Sequence, residues 1–129
     1  MANVAVVGGS REVRLLIKGL LRLHHHVVVA EGASFDVLNG LPADAEPGVV
    51  VVDFDLSEAG RLETVRAARK ARPNARFVML TTGSVPSSRE AARSAGANAI
   101  VARPFAVREL IEAVGPTPTA DPPALPKEP

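Results

Sequence analysis

Short apolar runs separated by helix-period segments set the tightest limit on the fold, because this alternation marks βα units wound around a parallel sheet. Five such pairs follow one another. Val4–Val7 leads into Val13, Leu16, Ile17, Leu20 and Leu21, whose three- and four-residue spacing makes one helical face. Val27–Ala30 is followed by Ser34, a capping residue for a short helix that carries Val37, Leu38 and Leu41 and ends at Pro42. Val49–Val52 is apolar at every position, which suits a central strand buried on both faces. Leu62, Val65 and Ala68 mark the next helix, and Phe77–Leu80 the strand after it. Ser87 opens a further helix that Gly96 stops. Ala99–Ala102 and a last helix, with Val107, Leu110, Ile111 and Val114 turned inward, complete the pattern.

The whole chain has 129 residues, enough for one domain with a real core, and residues 1–115 are expected to form it. Beyond Gly115 six prolines fall among residues 116–129, which predicts a disordered or polyproline tail. The absence of cysteine excludes a disulfide framework and a thiolate metal site. No apolar run approaches the roughly 20 residues that span a bilayer, and no basic segment with an apolar stretch opens the chain, so a cytoplasmic location is expected. A formal net charge of +1 gives no basis for wholesale capture of nucleic acid or membrane, and neither is an expected partner. Arg61, Arg66, Arg69, Lys70, Arg72 and Arg76 accompany Glu63 and no aromatic stacking residue, so they read as a solvated face. His24, His25 and His26 read as a solvated helix end, since consecutive helical residues point about 100° apart and do not share one ion.

In an open parallel sheet, ligands gather beyond the C-terminal strand ends, at the point where connections leave in opposite directions. The residues there are Gly8, Gly9 and Ser10; Asp53, Phe54 and Asp55; Thr81 and Thr82; and Arg103 and Pro104. A carboxylate, a hydroxyl and a cation therefore converge on one edge. Glycines after the first strand also leave helix N–H groups open to a phosphate, so a nucleotide- or flavin-binding domain is an alternative. Against it, Gly8 and Gly9 are adjacent, no third glycine follows at the fingerprint position, and "GGSREV" has no P-loop lysine.

"VVVVDFDL", "VMLTT" and "SAGANAIVARPF", with the spacing between them, resemble the receiver domain of two-component response regulators across residues 3–115. The resemblance implies a flavodoxin-like α/β fold with five parallel strands in the order 2-1-3-4-5. It places Asp53 at the phosphoacceptor position and Thr81 at that of the hydroxyl that binds a phosphoryl oxygen. Arg103 stands where the family has a lysine, before Pro104, whose peptide bond is usually cis there. Mg2+ in that family is held by an acidic pair directly after strand one, by the phosphoacceptor, and by the carbonyl two residues beyond it. Aligned on Asp53, the acidic pair falls on Gly8 and Gly9. Asp55 is the remaining candidate for a metal carboxylate beside Asp53.

Two further departures are Thr82, at a spot usually small, and Ile100, where many relatives carry an aromatic switch residue. The expectation is an atypical stand-alone receiver, or pseudo-receiver. It would be no enzyme but an interaction module in phosphorelay signalling, with phosphorylation weakened or lost and Mg2+ needed only if phosphorylation is retained. The alternative is a conventional receiver phosphorylated on Asp53 by a histidine kinase. The expected surface for a signalling partner or a homodimer is the fourth helix, fifth strand and fifth helix, with Ile100, Pro104, Phe105 and Val107.

Overall fold

The computed structural model describes residues 2–54, 60–81, 86–102 and 106–115. Strands β1 (Asn3–Gly8), β2 (Val27–Gly32), β3 (Val49–Asp53), β4 (Arg76–Thr81) and β5 (Ala99–Ala102) form one parallel sheet in the order β2-β1-β3-β4-β5. The expected strand order is met, and β3 is its centre. Val49 to Val52 are at most 5% exposed, as the unbroken apolar run requires.

Four α-helices lie among the described residues: α1 (Arg11–Leu23), α2 (Arg61–Ala71), α3 (Pro86–Ser94) and α4 (Val107–Val114). Alternate residues of each strand feed two cores, because successive side chains of a strand point to opposite faces. Val4, Val6, Val51, Val78, Leu80 and Val101 pack with Ile17 and Leu21 of α1 and Leu110 and Val114 of α4. On the other face Val7, Val50, Val52, Phe77 and Met79 pack with Val65 of α2 and Ala92 of α3.

Local details depart from the periodicity in instructive ways. Ser34 accepts a hydrogen bond from Asp36 N, but the turn it opens is a 3-10 helix, Phe35–Leu38, rather than an α-helix. Gly40 at φ +78° and Pro42 leave no room for a longer one. Leu16, read as inward from its spacing, is 60% exposed. The buried stripe of α1 runs through Ile17 and Leu21, with Val13 and Leu20 on its flanks.

Several of the basic side chains also act as tethers, with Arg66, Lys70 and Arg76 exposed as a solvated face requires and Arg69 and Arg72 half-buried. Arg69 donates to the carbonyls of Gly96, Arg72 and Pro73, and Arg72 donates to Glu46 and to Leu38 O. Arg66 holds Ser94, and Arg76 holds the Ala113 carbonyl. They close α2 and β4 against neighbouring loops and helices.

His24 and His25 are exposed, His25 in a left-handed turn at φ +69°, but His26 is buried, contrary to the solvated reading. Its Nδ1 accepts a hydrogen bond from Ala2 N at 3.3 Å, so the neutral ring ties the start of β1 to the start of β2. Burial first, then the positive amino terminus, His24 and His25, hold its pKa below the ordinary 6.5. In the unfolded chain the ring takes up its proton near 6.5, so between that value and the lower folded one the unfolded state binds more protons. Stability is therefore expected to fall as pH drops below 6.5 and to level off once the folded ring is charged. Urea denaturation at a series of pH values checks this, and His26→Asn, whose Oδ1 can still accept from Ala2 N, should flatten that part of the profile.

Candidate functional site

β1 and β3 are neighbours, yet their connections run to opposite sides, so the sheet's switch point lies between their C-terminal ends. Gly8 and Asp53 are direct partners in the register there. The edge rule therefore brings together the first two of the residues read from the sequence. Asp53 ends β3 half-buried and engaged in an interaction of its own. Thr81 ends β4, one strand further along, opposite Ala102. Its residue is 5% exposed and its Oγ1 has no hydrogen-bond partner among the described residues. A buried hydroxyl left in that state costs about 1–3 kcal/mol.

The turn from β1 into α1 is built on glycine. Gly8 and Gly9 both have left-handed backbone, at φ +91° and +73°, a region that L side chains rarely enter. A Cβ at Gly8 would stand 2.6 Å from Phe54 Cδ1 and 2.7 Å from the Asp53 carbonyl oxygen. One at Gly9 would overlap Asp53 Oδ2. The backbone of this turn thus lies directly against Asp53 and Phe54. Ser10 then caps α1, its Oγ accepting from Val13 N at 3.2 Å.

Two residues that sequence reasoning did not single out complete the corner. Arg14 of α1 donates through Nη1 to Gly9 O at 2.7 Å and Gly8 O at 3.4 Å, and through Nε to Glu31 Oε1 at 2.8 Å. Its side chain is 12% exposed, so solvent screens this pair less than a surface ion pair. The only hint in the sequence is that Glu31 breaks the apolar run of β2. Phe54, buried beside Gly8, meets Phe35 edge to face at 5.4 Å between centroids, and the Arg61 guanidinium lies 4.4 Å over its ring.

Ile100 is half-buried and packs with the core of the α2 and α3 face, whereas Val107, at the start of α4, is 43% exposed. They stand on different elements, β5 and α4, which pack against each other. Asp55, Thr82, Arg103, Pro104, Phe105 and the tail at 116–129 lie outside the described residues.

The sequence pattern that defines the response regulator receiver domain matches residues 4–115. The chain belongs to that family. This receiver is thus a domain of two-component signalling. It is 25% identical over 114 residues to the DNA-binding transcriptional regulator NtrC of Azospirillum brasilense, a match that takes in 88% of this chain and 23% of that protein. The chain spans less than a quarter of that relative's length. Among solved structures it is similar to a DNA-binding response regulator of the LuxR family from Staphylococcus aureus. There the TM-score is 0.72 at 22% identity, with 88% of this chain and 96% of that one covered. The chemotaxis protein CheY4 of Vibrio cholerae gives a TM-score of 0.70 at 23% identity, with 87% and 94% covered. These two likenesses bear on the fold, and they agree with the observed strand order. No helix among the described residues is long and apolar enough to cross a membrane.

Proposed function

We propose that this receiver is an interaction module of two-component signalling in which magnesium-dependent phosphoryl transfer to Asp53 is weakened or lost. Moving a phosphoryl group onto a carboxylate brings negative charges together, so catalysis is mostly positioning and charge neutralisation. Magnesium takes an octahedral oxygen shell that includes one or two carboxylates. The described residues do not fit that requirement. Gly8, the register partner of Asp53, and Gly9 bring no carboxylate, and the carbonyl of Gly9 is already taken by a guanidinium. Among the described residues no group of three or more His, Cys, Asp or Glu side chains gathers in a way that suits an ion.

The observation that carries the reading is the close seat of Gly8 and Gly9 against Asp53, in left-handed backbone that excludes the missing side chains. On this reading the unit at 1–115 performs no catalysis on another molecule, and its partner is a signalling protein met through the surface of α3, β5 and α4, where Val107 is exposed. A partner's binding, rather than a phosphoryl group, would then select its conformation.

The buried Thr81 hydroxyl, without a partner among the described residues, favours a second reading. A buried hydroxyl at the strand edge is what a phosphoryl oxygen on Asp53 would need, as in a conventional receiver. Incubation with magnesium and acetyl phosphate, followed by intact mass, separates the two. The proposed reading expects no added phosphoryl mass; a stoichiometric gain that disappears in Asp53→Asn would establish the second.

A further inference from the structure

We infer that the corner between β1 and α1 is closed by a glycine-specific lock in which Arg14 is the positioning residue, so that aspartates placed at positions 8 and 9 do not create an ion site while Arg14 is present. The inference deepens the reading above and rests on it for what positions 8 and 9 lack. Three separate anchors make the lock. From α1 and β2, the Arg14 fork holds the carbonyls of Gly8 and Gly9 and is itself held by Glu31. Charge-assisted bonds from a planar guanidinium fix direction as well as distance, which an uncharged side chain does not reproduce.

From β3, Asp53 and Phe54 fill the space into which side chains at 8 and 9 would project. At Gly9 the obstacle is the far end of the Asp53 side chain, which can turn aside, whereas at Gly8 neither obstacle yields easily. The obstacle at Gly8 includes the Asp53 carbonyl, which is backbone, and the Phe54 ring is pinned between Phe35 and Arg61. The third anchor is the Ser10 cap, which fixes where the turn must enter α1. A side chain at Gly8 therefore requires the turn to swing away from β3, and one at Gly9 needs the Asp53 carboxylate to turn aside. Such a swing breaks the bonds to Arg14, and while Arg14 holds, carboxylates cannot settle beside Asp53.

The test compares four full-length proteins: the unaltered chain, Arg14→Gln, the pair Gly8→Asp and Gly9→Asp, and that pair with Arg14→Gln. Mn2+ is the probe, read by saturable paramagnetic broadening of amide resonances around Asp53. The double aspartate variant is expected to show none, and the triple variant to gain it. Arg14→Gln alone should shift the amides of Gly8, Gly9 and Ser10 and speed their hydrogen exchange, with those of β3 and β4 unmoved. Saturable Mn2+ binding by the double variant with Arg14 intact overturns the lock. So does a triple variant that folds, by its thermal transition, and stays silent. Binding by the unaltered chain instead overturns the preceding reading. In that event, or if an aspartate variant fails to fold, Arg14→Gln decides: unchanged loop amides refute the lock and altered ones support it.

Discussion

Gly8→Ala is expected to lower the free energy of unfolding by about 2–4 kcal/mol, a large loss for one methyl group. Two costs combine. Left-handed backbone at φ +91° costs an L residue about 1–2 kcal/mol. The added Cβ meets a pinned ring at 2.6 Å and a backbone oxygen at 2.7 Å, and overpacking of that kind costs about 1–3 kcal/mol. The smaller entropy of an unfolded alanine chain offsets about 0.4–1 kcal/mol of the sum. Gly19→Ala serves as the contrast. Gly19 lies within α1 with nothing within 4 Å of its missing Cβ, and the same substitution there should raise stability by about 0.5–1 kcal/mol. Urea denaturation of both variants reads the difference, and a Gly8→Ala protein as stable as the parent would contradict the described corner.

Phe77→Ala is expected to cost about 3–5 kcal/mol, the range for emptying a buried aromatic site. Phe77 is fully buried in β4, with the Phe35 ring 6.4 Å away and the Arg69 guanidinium 5.5 Å from its centroid. Its backbone also exchanges bonds with Asn98, whose Oδ1 accepts from Phe77 N and whose N donates to Phe77 O. Those bonds survive the substitution, so the loss reports packing. A domain of this size has about 5–15 kcal/mol in all, and the thermal midpoint should drop by about 10–20 °C. A drop of only a few degrees would mean that the site collapses around the cavity.

The sheet was legible in the sequence because each strand's demand is local. Val49–Val52 states by its composition that both its faces are covered, and that places β3 at the centre. Once the order is known, the edge rule locates Gly8 beside Asp53 without further information. Helix faces were less legible, since spacing admits Leu16 and Ile17 alike, and only packing against the sheet chooses Ile17. His26 shows the same limit. It follows α1 closely enough to look like a frayed end, but Ala2 bonds both to its ring and to the first residue of β2, Val27.

What the sequence hid was the choice of long-range partners. Arg14 and Glu31 are 17 positions apart, and Arg72 finds Leu38 across 34. Nothing in either arginine's neighbourhood says which carbonyl it will hold. The glycines illustrate the point at the site itself. Their composition shows that carboxylates are missing, but the space where those would have gone is filled by Phe54 and Asp53, which only the fold reveals.

The central claim, that the edge around Asp53 no longer assembles a magnesium-dependent phosphoryl site, is tested most directly with a phosphoryl mimic. Amide NMR spectra of the full chain are recorded while beryllofluoride is added at high magnesium. The account predicts no saturable shifts at Asp53, Thr81, Gly8 or Gly9 beyond those that salt alone produces. A distinct bound set of resonances centred on Asp53 and Thr81, and absent from Asp53→Asn, would contradict it.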